Sequence, residues 1–486
     1  MGTTNGAVTL SLTTLTDETR LVLANLGDRA TGFRTPTVRL GVTGLARAGK
    51  TVFITALVHN LMHGGRLPLF KAYTGGRVAG ASLQPQPDDH VPRFDYERNV
   101  AALIDERIWP ESTRAISELR LTVRYQSARL IGRTLGSGRL HIDIVDYPGE
   151  WLLDLPLLHK SYAEWSREAI ERASGSVNRQ RAAAWLEKLD ALPTDPREDE
   201  TTARDLAAAF TIYLRAMRLA DGAISTEPPG RFLMPGDLDA SPALTFAPLR
   251  EAGSPLARMM ERRFESYKSA VVRPFFRDHF ARLDRQIVLA DVLAALNAGS
   301  GAVAELETAL AGVLDSFRVG RAGWLAGLVT RKIDRILFAA TKADHLHHGD
   351  HDRLEATLAH LVERASSRAR YAGAKVDVVA LASVRSTREA SVTRIGETLP
   401  AIIGTPLPGE SVDGRVFDGN AEVAIFPGDL PTDVDALFKP GAPRTDVRFV
   451  RFRPPKLERT AEGLTLSLPH IRLDRALEFL LGDKFA

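Results

Sequence analysis

Cysteine is absent from the 486 residues. Its absence excludes disulfides, thiolate nucleophiles and thiolate metal centres together, and it fits a reducing compartment. No apolar run reaches the roughly twenty residues that a bilayer-spanning helix needs, so the chain reads as water-soluble. Net charge is nearly absent too. The 63 Lys plus Arg against 60 Asp plus Glu leave a formal +3, which gives no electrostatic case for nucleic acid as a partner. Met1 to Thr13 lack the basic start and apolar core of a secretory signal, and a cytoplasmic location is expected.

What remains is an ordinary globular composition, 44% hydrophobic and 25% charged. The chain is too long for one compact core, and usual domain sizes give about two to three units. Thr37 to Thr43 reads as a buried strand running into a glycine loop, followed by Val52, Phe53, Ala56, Leu57, Val58 and Leu61 at helical spacing. Residues 66 to 110 read as a long loop ending in a short helix over Tyr96 to Ile108. Leu119, Leu121, Val123 and Tyr125 alternate with polar residues as in a half-exposed strand, and a turn leads to an apolar strand over Leu140 to Val145. These two strands are expected to pair antiparallel.

Trp151 to Asp284 is mostly helical, over Ala163 to Ala173, Arg179 to Leu192, Thr202 to Leu219 and Leu256 to Leu283. That is too much chain for one crossover helix, so an inserted helical domain is expected over residues 151–284. The first part of the core is then 1–150. Strands over Gln286 to Ala290, Arg335 to Ala340 and Val376 to Ala382 alternate with helices over Val303 to Phe317 and Leu354 to Ala372, giving the second part over 285–400. Such alternation argues for an α/β fold with a mostly parallel sheet and helices on both faces. Residues 401–486 read as a small α+β extension, with strands over Arg415 to Phe426 and Asp446 to Phe452 and a helix over Ile471 to Leu481.

The chemistry sits at the ends of these strands. A triphosphate needs convergent N–H donors and a cation, which a glycine-rich turn entering a helix supplies. Gly44-Leu45-Ala46-Arg47-Ala48-Gly49-Lys50-Thr51 fits the phosphate-loop pattern. Gly44, Arg47, Ala48, Gly49, Lys50, Thr51 and Val52 are the expected phosphate-side contacts. Lys50 would reach the β- and γ-phosphates, and the Thr51 hydroxyl would hold Mg²⁺. An acid is expected after a second apolar strand, since the metal is held partly through a carboxylate. Asp146 meets that need and opens Asp146-Tyr147-Pro148-Gly149, in which the Gly149 N–H can sense the γ-phosphate. Thr113, just before the partner strand, is the expected switch residue and a third metal-side group.

Base recognition calls for a carboxylate that accepts from N1–H and the exocyclic amine of guanine, a pair that adenine lacks. Thr341-Lys342-Ala343-Asp344 resembles the N-K-x-D guanine motif with Thr in place of Asn, keeping Lys342 to cover the base and Asp344 to read it. Ser383 and Val384 follow the next strand, where small GTPases carry S-A-K. Two residues are candidates to promote hydrolysis. Glu150 follows Gly149, where Ras-like enzymes place a water-positioning Gln, although its charge would oppose the γ-phosphate. Arg47 lies inside the phosphate loop, as does an arginine acting in cis in guanylate-binding proteins; a well-placed arginine is worth ~10³ to 10⁵ in rate.

Two features have blander readings beside the functional ones. His345, His347, His348 and His351 suggest a metal, yet without a matching acidic cluster they read as solvated histidines. Arg318 to Phe338 has the make-up of a membrane-surface segment, but packing against the sheet is the simpler reading.

The combination resembles the YcjX-like family of bacterial P-loop NTPases. The likeness rests on G-L-A-R-A-G-K-T, W-P-E-S-T from Trp109, D-I-V-D-Y-P-G-E-W ending at Trp151, R-L-D-R-Q-I-V-L-A-D-V-L ending at Leu293 and F-A-A-T-K-A-D-H-L ending at Leu346. It implies a Ras-like P-loop NTPase core with a helical insertion, GTP/GDP and Mg²⁺ as ligands with ATP/ADP as the alternative, and a regulatory role in stress. A peripheral place at the inner face of the membrane, or a membrane-protein partner, is the further implication. The sequence does not set the oligomeric state.

Overall fold

The computed structural model describes residues 35–44, 47–111, 115–126, 138–175, 178–219, 228–238, 241–316, 333–371, 373–394, 397–412, 414–433, 449–457 and 467–485. Leu45, Ala46, the switch candidate Thr113 and most of the segment weighed as a membrane face lie outside the described residues.

The central sheet is built from β1 (Thr37–Gly44), β2 (Val78–Gln84), β3 (Ser117–Tyr125), β4 (Gly138–Asp146), β5 (Arg285–Ala290), β6 (Arg335–Ala340) and β7 (Lys375–Ala380). Their order is β2-β3-β4-β1-β5-β6-β7. The run from β4 to β7 is parallel, while β3 pairs antiparallel with β4 and β2 with β3. Central strands such as Arg335–Ala340 are nearly continuous apolar runs because both their faces are covered. Strand β2 was not expected. Its V-A-G-A-S-L-Q stretch is small and weakly alternating, with a register shift between Val78 and Gly80, and it forms a half-exposed edge.

Alternate residues of each central strand feed two separate cores. Ile287 and Leu289 of β5 join the cluster that holds α1 (Lys50–His63), whereas Val288 and Ala290 join the opposite one. The opposite cluster contains the helices between β4 and β5: α2 (Tyr162–Ser174), α3 (Arg179–Asp190), α4 (Glu200–Leu219), α5 (Pro255–Tyr267) and α6 (Arg273–Asp278). Ser161 and Glu164 form a reciprocal capping box at the start of α2. Trp165 stacks on Phe264, and Trp185 on Tyr213. The helix expected over Leu256 to Leu283 runs from Pro255 to Asp278, with a π-turn over Lys268–Val272 inside it just before Pro274, which has no N–H to donate.

The same cluster is completed by α7 (Val292–Ala298), α8 (Ser300–Ser316) and α9 (His351–Tyr371). In the C-terminal region, β8 (Arg388–Arg394) and β9 (Glu397–Gly404) form a hairpin, extended by a third strand over Val423–Ile425. The continuous strand expected over Arg415 to Phe426 is instead two short pieces, Arg415–Val416 and Val423–Ile425. Finally α10 (Leu473–Leu481) packs into the cluster that holds α1.

Candidate functional site

Strand β1 ends at Gly44 and α1 begins at Lys50. A side chain at Gly44 would place its first carbon 2.6 Å from the Leu289 carbonyl oxygen, so the turn out of the sheet admits only glycine. Gly49, the residue before α1, sits in the left-handed region at φ 82. No side chain caps α1 and no acidic residue lies in its first turn, which leaves the positive end of a fourteen-residue helix for an outside anion. The donor set therefore fits a phosphate chain. The buried Lys50 donates from Nζ to the Gly44 carbonyl at 3.0 Å, closing the loop on itself. Thr51 donates from Oγ1 to the Glu111 carbonyl at 3.1 Å, which brings the segment just before Thr113 against the helix start.

One cavity of about 370 Å³ joins this loop to the base-side loops. Arg47 to Val52 line one end; Thr341, Lys342, Asp344, His345, Ser383, Val384 and Ser386 line another. Trp109 to Glu111 and residues of the C-terminal region complete the wall. Arg47 and Lys342 both hold φ 62. A left-handed conformation costs a non-glycine residue roughly 1–2 kcal/mol, and such strain gathers at sites where geometry matters more than stability.

Asp344 is nearly excluded from water and is oriented by Ser386, which belongs to none of the sequence motifs. Its Oδ2 accepts from the Ser386 backbone N–H at 2.8 Å and from the Ser386 hydroxyl. The Thr387 hydroxyl donates to the Asp344 carbonyl. Ser383 and Val384, expected on the base side because they come soon after β7, both line the cavity, but the clamp on Asp344 lies three residues beyond Ser383. Ser386 and Thr387 are two hydroxyl residues close to that loop, but no spacing rule singles them out. Thr341 donates from N at 2.9 Å and from Oγ1 at 3.2 Å to the Ala290 carbonyl, bracing the end of β5. Lys342 is ion-paired with Asp291, which also caps α7 through Ala294.

Asp146, Gly149 and Glu150 are not among the described residues that line this cavity. Asp146 ends β4 in register with Val42 of the neighbouring β1, so it lies next to the strand that feeds the phosphate loop. Were a magnesium ion bound here, the Thr51 hydroxyl and the Asp146 carboxylate are oxygen donors of the kind that would hold it. Gly149 opens a buried 3₁₀ helix, Gly149–His159, and Glu150 is buried at its start.

The histidines divide. His345 is 7% exposed, lines the cavity and lies against Phe449 and Phe452; burial lowers its pKa and keeps it neutral. His347 and His348 do have an acidic neighbour after all: Glu389 of β8, 2.8 Å from His348 Nδ1 and 3.9 Å from His347 Nε2. Its other oxygen faces Arg385 at 3.4 Å.

Sheet order, the loop between β1 and α1, and the two loops after β6 and β7 define an α/β protein with the fold of the P-loop nucleoside triphosphatases. The chain belongs to the YcjX-like family, DUF463, whose model matches residues 38–485. It is 38% identical over 470 residues to a protein of Escherichia coli (strain K12) named Ras-like GTPase YcjX, covering 92% of this chain and 96% of that one. A protein of the same name from Shewanella oneidensis (strain ATCC 700550 / JCM 31522 / CIP 106686 / LMG 19005 / NCIMB 14063 / MR-1) is 33% identical over 505 residues, covering 99% of each.

Proposed function

We propose that this chain is a Mg²⁺-dependent switch that binds and hydrolyses GTP. The observation that carries the reading is the single cavity in which Lys50 at one end meets a clamped Asp344 at the other. The names of the two relatives support guanine over adenine. Lys50 and the first N–H groups of α1 hold the phosphates, and Asp344 accepts from the guanine edge. Thr51 and Asp146 are the metal-side residues, joined in this reading by Thr113. The metal ion supplies charge neutralisation on the phosphate oxygens. Arg47, exposed and lining the cavity, would stabilise charge on the transferred group.

The experiment is nucleotide competition with Asp344→Ala. A sharp fall in guanine over adenine preference is expected, and an unchanged preference would remove the base assignment. A second reading, a nucleotide-stabilised scaffold with negligible turnover, is favoured by the burial of Glu150 away from the cavity lining. Single-turnover assays decide between them. The switch reading expects phosphate release that slows in Arg47→Ala; no release over hours from excess protein with Mg²⁺ and GTP favours the scaffold.

A further inference from the structure

The cavity has a wall that none of the phosphate or base motifs supplies. Residues 405–407 and 451–453 run side by side: the Leu407 N–H donates to the Arg451 carbonyl at 2.8 Å, the Arg453 N–H to the Thr405 carbonyl at 2.8 Å, and Pro406 bridges Phe452. This pair presents Leu407, Arg451 and Phe452 to the cavity. It is fastened at two sides. The Phe452 ring lies edge-on to His345 at 5.4 Å, next in the chain to Asp344. The Phe452 carbonyl accepts the Trp109 indole N–H at 2.6 Å, and the Pro454 carbonyl accepts from Arg107 Nε at 3.2 Å.

Arg451 itself is aimed rather than free. Glu410, whose side chain is only 13% exposed, accepts from the Arg451 backbone N–H at 2.9 Å and from its Nε at 2.7 Å. A carboxylate that holds both the main chain and the Nε edge fixes the direction of the guanidinium. The Arg451 side chain is 57% exposed and lines the cavity.

We propose that Arg451 is a nucleoside-binding residue, contributed to the nucleotide site by the C-terminal extension. This rests on the guanine-nucleotide reading above. Arg451 belongs to the nucleoside half because its strand neighbour Phe452 touches the residue beside Asp344, while the phosphates belong to the Arg47–Val52 end. Its N–H fork would donate to ribose oxygens or to acceptors on the base. Docking of residues 449–454 and nucleotide binding are then coupled, so the extension is part of the binding site.

Calorimetry with GMP, GDP and GTP on the full chain tests this. A hydrogen bond from a charged group accounts for about a tenfold change in affinity or more. Arg451→Ala is expected to lose about that factor, and the same factor for all three nucleotides, since the nucleoside is common to them. Because Arg451→Ala leaves Glu410 uncompensated, the double variant Arg451→Ala with Glu410→Gln is measured beside it and is expected to show the same loss. Wild-type affinities in both variants would overturn the proposal, as would a loss that grows from GMP to GTP, which would put the guanidinium on the phosphates. If the wild type binds no guanine nucleotide, the function proposed above fails first and takes this inference with it.

Discussion

Two buried carboxylates, Asp344 and Asp154, are held by hydrogen bonds for different ends. Asp344 is held by the N–H and hydroxyl of Ser386 on one oxygen. Ser386→Ala removes one of those donors and is expected to weaken GDP binding about tenfold, read by calorimetry, with little effect on folding; undiminished affinity would show that the clamp is dispensable. Asp154 takes its bonds from Gly230 N–H at 2.7 Å, Arg231 N–H at 3.2 Å and the Tyr267 hydroxyl at 2.6 Å. Burial outweighs them and raises its carboxyl from 3.8 to about 6. The folded chain thus binds this proton more tightly than the unfolded chain, and the resulting stability is complete below about pH 4 and lost as pH rises through about 6. Asp154→Asn has no proton to lose. Urea unfolding of the two proteins at pH 4.5 and 7.5 is expected to show the variant gaining on the wild type at the higher pH, and parallel pH curves would contradict this. That Lys50, Thr51 and Asp344 line one cavity was legible in the sequence because both motifs have fixed spacing and follow strand ends. Ser386 was not, since a hydroxyl residue among others carries no spacing rule.

The 3₁₀ helix Gly149–His159 begins at Gly149 and is gripped by the helical segment. The Arg231 guanidinium lies over the Trp151 ring, the Trp151 indole N–H donates to the Met234 carbonyl at 3.2 Å, and a Cβ on Gly230 would fall 2.0 Å from the Glu150 carbonyl oxygen. Any change at Gly149 on losing a γ-phosphate would therefore pass to residues 230–234. Gly230→Ala is expected to cost about 1–3 kcal/mol in denaturant unfolding and to slow GTP turnover, because the backbone of Glu150 must shift; wild-type values for both would sever the link. At this scale the sequence spoke unevenly. Central strands and α1 were plain from apolar runs and helical spacing, as for Arg335–Ala340. The β8–β9 hairpin was missed because R-E-A-S-V-T-R and E-T-L-P-A-I-I-G alternate poorly and include Pro400. The π-turn before Pro274 was hidden by the apolar periodicity around it.

Among the described residues the seven-stranded sheet lies between two cores, and the last helix packs into one of them. Leu473, Leu477, Leu480, Leu481 and Phe485 are fully buried in the cluster that contains α1, and Asp483 meets the buried Arg285 at 2.8 Å. Each such apolar side chain contributes about 1.5–3 kcal/mol, so together they match the roughly 5–15 kcal/mol by which domains are stable. Deletion of residues 471–486 is expected to abolish cooperative thermal unfolding followed by circular dichroism; a sharp transition near the wild-type temperature would show the helix to be an accessory. What most directly probes the guanine site is an exchange of base preference. Asparagine at position 344 would turn an acceptor edge into a donor, suited to xanthine, which carries a carbonyl where guanine carries its amine. Competition of GDP against XDP should favour GDP in the wild type and XDP in Asp344→Asn, whereas a variant that keeps the wild-type order would mean that Asp344 does not read the base.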